Sequence, residues 1–169
     1  MFSCPGCKAL FSSDTPCDHP YIGASQACWE TYQKVLEKEY SNPDYFKVHR
    51  ITVDAYAASH IGDQSDRRAR QSANLHLIAL YLYFERECLV KEIKGFLSRA
   101  TTPKRNWPEV QHIKSPSWLT VGDVVTAESA QVHEQKVLAW GKSVLEGYHN
   151  IYNDLQRLYE SILSGHKTV

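Results

Sequence analysis

From Val137 onward the apolar residues recur every three or four positions: Val137, Trp140, Val144, Tyr148, Ile151, Leu155, Leu158 and Ile162. Only a helix lays such a series along one face, so this part of the chain is restricted to helix packed on a core. The spacing predicts one long helix, or two joined near Gly147, with a stop at Ser164-Gly165. Earlier in the chain, Ser25 is a good N-cap for a helix whose apolar stripe is Trp29, Tyr32, Val35, Leu36 and Tyr40. Asn42-Pro43 restarts the chain as cap and first helical residue, and this second helix is expected to run to about His60. A third is expected from near Ser65 to about Arg99. Its Leu75–Phe84 stretch is apolar almost all round, which suits the centre of a bundle.

No segment shows four or more clean alternations bounded by turns, so no substantial sheet is expected. Residues 101–119, with Pro103, Pro108 and Pro116, read as a long connection whose Trp107 and Trp118 hold it against the surface. Thr120 and Asp123 resemble the capping box of a short helix. The resulting expectation is an all-α fold: a four- or five-helix bundle over residues 25–165, preceded by an irregular zinc-knuckle segment over residues 1–24. A chain of 169 residues fits a single domain, 1–169.

Charge removes several function classes. Lys plus Arg number 19 and Asp plus Glu 19, so the net charge is zero with neutral histidine. A nucleic-acid partner, which calls for a basic stripe, is not expected. Low net charge favours self-association, and a homodimer is compatible with it. The longest apolar run, Leu75–Phe84, is far short of the roughly 20 residues that span a bilayer, so no membrane partner is expected. Met1-Phe2-Ser3-Cys4 lacks the regions of a signal peptide, and the expected compartment is the cytoplasm.

In that compartment thiols stay reduced, and four of the five cysteines lie within the first 28 residues. Cys4-Pro5-Gly6-Cys7 places two thiolates where both can reach one tetrahedral ion. A redox dithiol shares this spacing, but it favours a helix N-terminus after a strand rather than a proline-rich loop. Cys28, in the first turn of the first helix, is the third expected ligand. Cys17 and His19 lie in the same loop, and the residues alone leave the fourth ligand open between them. Cys88, in the third helix, reads as a small apolar filler.

Four segments together carry a resemblance: Cys4-Pro-Gly-Cys7; His19-Pro-Tyr-Ile-Gly-Ala-Ser-Gln-Ala-Cys28-Trp29; His49-Arg-Ile-Thr-Val-Asp54-Ala-Tyr56-Ala-Ala-Ser-His60; and Gln71-Ser72 through His76-Leu77. They resemble a mainly bacterial family of small proteins described only as a domain of unknown function, well over residues 4–80 and loosely beyond. The resemblance implies no activity. It does imply a histidine at position 19 and leaves Cys17 particular to this chain, so the expected zinc set is Cys4, Cys7, His19 and Cys28, with Cys17 as the substitute for His19.

The remaining histidines sit on helices. His49 and His60 share a face but stand roughly 16 Å apart along it, too far for one ion. His60, at a helix end, reads as a C-terminal cap. His76 and His133 lie among apolar residues and read first as core imidazoles satisfied by one hydrogen bond. Asp54 can pair with Arg50 one turn earlier, or orient His60 or His76 across a helix interface. If Asp54, His60, His76 and His133 converged, they would form a metal or acid–base site. Phosphate-loop, dinucleotide and serine-hydrolase signatures are absent. The expected function is therefore binding of a partner protein or small ligand by a zinc-stapled helical domain. The alternatives are a metal- or histidine-dependent enzyme using those four residues, and a thiol redox or zinc sensor.

Overall fold

The computed structural model describes residues 1–13, 15–101, 104–114 and 116–165. Helix α1 spans Gln26–Ser41, and the Ser25 hydroxyl accepts from the Cys28 amide at 3.4 Å, as an N-cap should. Its buried positions are Cys28, Tyr32, Val35 and Glu39. The apolar stripe therefore ends differently from expectation: Tyr40 is 67% exposed and Glu39 takes the inward position. Glu39 can do so because His49, Thr52 and His133 bond its carboxylate inside.

Asn42 caps α2 (Pro43–Phe46), its side chain accepting from the Asp44 amide at 2.9 Å. The expected continuous helix to His60 is broken at Lys47-Val48, and α3 spans His49–Ser59. The break turns Val48 into the core, where its carbonyl receives the Ile51 and Thr52 amides, and stacks Phe46 on His49 with ring centroids 4.6 Å apart.

Asp66 caps α4 (Arg67–Phe84) by accepting from the Arg68 amide at 2.7 Å. From Leu77 to Leu82 every residue is buried, so this helix is central, packed against α3 and against helices that follow it. It stops at Phe84 rather than near Arg99. Glu87 adopts a left-handed backbone (φ 50°), which a helix cannot continue through. Glu92 then accepts from the Leu89 amide at 2.7 Å and starts α5 (Val90–Ala100), which folds back on α4.

The following connection packs inward through Trp107 and Trp118, both buried; Pro103 lies outside the described residues. The Thr120 amide donates to Asp123 at 2.7 Å, opening α6 (Val121–Val125) as the capping-box pattern implies. The C-terminal stripe forms α7 (Ala130–Gly147), a short 3-10 turn (His149–Ile151) and α8 (Tyr152–Leu163). A Cβ at Gly147 would stand 2.7 Å from the Trp118 ring, so this joint is where the indole lies against the backbone. Gly165 (φ 72°) ends the chain's last helix. The fold is all-α, and the described residues contain eight α-helices because the expected long ones are split. A pair of two-residue strands, β1 (Phe2–Ser3) and β2 (Leu10–Phe11), closes the N-terminal knuckle. Among the described residues no helix is long and apolar enough to cross a membrane.

Candidate metal centre

The knuckle between β1 and β2 is a tight reversal. The Cys4 amide donates to the Ala9 carbonyl at 2.8 Å, the Lys8 amide to the Cys4 carbonyl at 3.1 Å, and Lys8 is left-handed (φ 64°). This folds Cys4 and Cys7 to the same side and presents both sulfurs to the first turn of α1, where Cys28 lies. The loop at residues 21–23 is then clamped to the end of α3. Ile22 bridges Ile61, and the Gly23 amide donates to the His60 carbonyl at 2.8 Å.

Three glycines make these approaches possible. A Cβ at Gly6 would meet His60 Cδ2 at 2.5 Å and the Gly23 carbonyl oxygen at 2.7 Å. At Gly23 it would meet the Ile61 carbonyl oxygen at 2.9 Å, and at Gly62 the Tyr21 backbone at 2.8 Å.

The result is a compact donor set. One donor atom each from Cys4, Cys7, Cys28 and His60 lie within 4.8 Å of one another, and all four residues are buried. Cys7 Sγ stands 3.9 Å from Cys28 Sγ, and His60 Nε2 3.2 Å from Cys28 Sγ. His60 Nδ1 lies 2.8 Å from the Tyr56 carbonyl, an acceptor only, so Nδ1 carries the hydrogen and Nε2 is aimed at the sulfurs. The Ser25 amide donates to Cys4 Sγ at 3.5 Å and the Tyr56 hydroxyl to Cys28 Sγ at 3.6 Å, so the sulfurs also have outer partners.

The electrostatics follow. Hydrogen bonds from Cys28 and Cys7 hold the Cys4 thiol far below its ordinary range, and the same contacts push Cys28 up. Burial alone would lower His60, but hydrogen bonds to the Cys4 and Cys7 sulfurs outweigh it and raise the imidazole to about 9. Negative charge thus gathers on sulfur with a cation facing it, the charge pattern a bound cation would replace. These four donors can hold a metal ion.

Cys4, Cys7 and Cys28 are brought together as the sequence suggests, but the fourth donor gathered with them is His60, not His19. The His19 ring packs against Trp29 (centroids 5.1 Å apart), and its Nδ1 accepts from the Tyr21 amide at 3.2 Å. Burial lowers its pKa, as for an imidazole kept neutral among aromatic rings. Cys17 is also outside the set, its thiol directed to the Ile22 carbonyl at 3.6 Å. His60 is the C-cap residue of α3, as expected of a terminal histidine, but its ring belongs to the thiol cluster. Its contact with Cys28 spans 32 residues, and no local spacing announces it.

The four residues Asp54, His60, His76 and His133 do not share one set of partners. Asp54 is buried and accepts from Arg50 Nε at 2.7 Å and from His76 Nδ1 at 2.7 Å. His133 Nε2 instead donates to Glu39 Oε1 at 2.9 Å. Glu39 is fully buried and is also bonded by His49 Nδ1 at 2.7 Å and by the Thr52 hydroxyl. Glu39 belongs to no motif that marks it in the sequence. The available signal was its place in the series Cys28, Tyr32, Val35, Glu39, at spacings of four, three and four.

Fold and site together define a helical protein with a buried three-cysteine, one-histidine donor cluster tying an N-terminal knuckle to two helices. The chain belongs to the Family of unknown function (DUF5946), whose model matches residues 3–149. The matched range holds all four donors and the whole of α1 through α7. No curated protein and no solved structure matches the chain.

Proposed function

We propose that the cluster holds one structural zinc ion and that the protein acts by binding, with zinc fixing the shape of the domain rather than performing chemistry. The observation that carries this reading is the convergence of four buried donors from three distant parts of the chain. Zinc–sulfur bonds of about 2.3 Å at tetrahedral angles put sulfurs roughly 3.8 Å apart. The Cys7–Cys28 separation of 3.9 Å is close to this. Four protein ligands leave no open position for water or substrate, as in structural rather than catalytic zinc sites. The ion would bind β1–β2, α1 and the end of α3 into one unit.

Elemental analysis of protein purified without chelator tests the reading. One zinc per chain is expected, retained in His19→Ala and lost in His60→Ala. A folded preparation free of metal, or loss on His19→Ala with retention on His60→Ala, would overturn it.

A further inference from the structure

Outside the thiol cluster, the buried Asp54 carboxylate organises a second site. Arg50 bonds both of its oxygens and His76 shares Oδ1 with the guanidinium, and the side chain of His76 is 21% exposed while that of Asp54 is 3% exposed. A carboxylate held by a guanidinium accepts hydrogen bonds and donates none, so His76 Nδ1 carries the hydrogen of the 2.7 Å contact. That fixes both the tautomer and the plane of the ring and leaves Nε2 as its free nitrogen. His76 lines a groove of about 390 Å³ on the outer face of α4, closed at one side by Tyr21.

The rest of the groove is equally specific. Arg67 and Arg68 stand at its other end, and neither has a carboxylate partner among the described residues. Arg67 is braced by Gln71 Oε1 at 3.1 Å and Arg68 by the Tyr21 hydroxyl at 3.3 Å, both neutral partners that leave the guanidinium charges uncompensated. No acidic side chain lines the groove. Arg68, Ser72 and His76 follow at intervals of one helical turn, so the guanidinium end and the imidazole end are about 12 Å apart along the axis. Leu75 supplies the apolar wall between them.

We infer that this groove binds a phosphorylated small molecule: the phosphate at Arg67 and Arg68, the body over Ser72 and Leu75, and a polar group of the ligand at His76 Nε2. Two unpaired guanidinium forks match phosphate oxygens bidentately, and an imidazole positioned by a buried carboxylate gives directional recognition at the far end. The volume lies in the range of small-molecule sites. The inference rests on the reading of this chain as a binding protein and names its ligand site, but it does not require zinc.

The test uses the full chain and two probes, inorganic phosphate and acetate, each titrated at constant ionic strength while the arginine Nε–H and Tyr21 resonances are followed by NMR. Phosphate should shift Arg67, Arg68 and Tyr21 saturably and bind at least about tenfold more tightly than acetate. The shifts should vanish in the double variant Arg67→Gln/Arg68→Gln, and in Ser72→Trp, which fills the groove without removing a charge. Ribose 5-phosphate should bind more tightly than phosphate, and His76→Asn should remove only that increment. Absence of a saturable shift, acetate binding as tightly as phosphate, or unchanged binding in the double variant would overturn the assignment. So would a ribose 5-phosphate affinity no greater than that of phosphate. Metal content measured on the same samples keeps the outcome separate from the zinc reading.

Discussion

Gly6 lies so close to His60 that a single methyl group on it would stand 2.5 Å from the imidazole Cδ2 and 2.9 Å from its Cα. The glycine between the two knuckle cysteines is therefore a packing requirement of the donor set, because the knuckle reaches the imidazole only if nothing projects from that position. Gly6→Ala must push the knuckle away from α3, separating Cys4 and Cys7 from His60. Chelator competition should show metal affinity reduced by at least about tenfold, the scale of losses when ligand orientation is disturbed. Gly95→Ala is the control, since a Cβ there meets nothing within 4 Å and alanine favours a helix. Equal metal affinity in the two variants would show that the knuckle does not depend on that approach.

The direction of the pH dependence follows from His60 and Cys28. In the metal-free protein the imidazole is raised to about 9, so at neutral pH it carries a proton, and Cys28 is pushed up and keeps its own. Metal binding must expel both protons, so affinity rises with pH and falls on acidification. Calorimetric titrations in buffers of different ionisation enthalpy should show net proton release at pH 7; none would contradict this charge pattern. The metal-free fold behaves oppositely. A folded-state pKa raised above the ordinary 6.5 contributes stability that is fully present below 6.5 and lost as pH rises through about 9. The metal-free N-terminal segment should therefore loosen between neutral pH and about 9, while the loaded protein should not.

Glu39 carries the stability of a different region. Its fully buried carboxylate joins α1 to α7 through His133 and to α3 through His49 and Thr52. Glu39→Ala leaves these groups without their acceptor in a core where His133 Nδ1 already has no hydrogen-bond partner. Leaving a buried hydrogen-bond donor unsatisfied costs about 1–3 kcal/mol. Urea unfolding should show a loss on that scale for Glu39→Ala and within about 0.5 kcal/mol for the exposed Glu37→Ala on the same helix. Similar midpoints for the two variants would remove Glu39 from the core network.

Much of the helical framework is legible in the sequence because its signals are local. Ser25, Asn42-Pro43, the Thr120–Asp123 box and Gly165 mark ends through bonds to residues a few positions away, and the stripe from Val137 to Ile162 has the period of the helix itself. The breaks at Lys47-Val48 and Glu87 are not legible in this way. No proline or glycine stands there, and the tertiary advantage of turning Val48 inward and folding α5 back decides them. The donor set divides along the same line. Cys4 and Cys7 declare themselves by spacing, whereas His60 joins them only because Gly6, Gly23 and Gly62 let distant backbones touch. His19 has the nearer sequence position, but its ring finds a better home between Trp29 and Tyr21.

Removing the metal should loosen the knuckle and leave the bundle standing. The core around α4 is built from Leu77, Ile78, Leu80, Trp140, Val144 and Leu155, all buried and none of them a donor residue. A chain of this size buries roughly 70% of its extended surface on folding, so the helices have a core that does not depend on the ion. The residues tied directly through the ion are few: the knuckle, the first turn of α1 and the end of α3. Chelation should therefore raise hydrogen exchange over residues 1–30 and 60–62 and leave most of the far-UV helical signal in place. The amides of α4 and α7 should keep their protection, because their hydrogen bonds open only with the bundle. Loss of the whole helical signal on chelation would instead mean that the metal organises the entire fold, as it does in small zinc fingers.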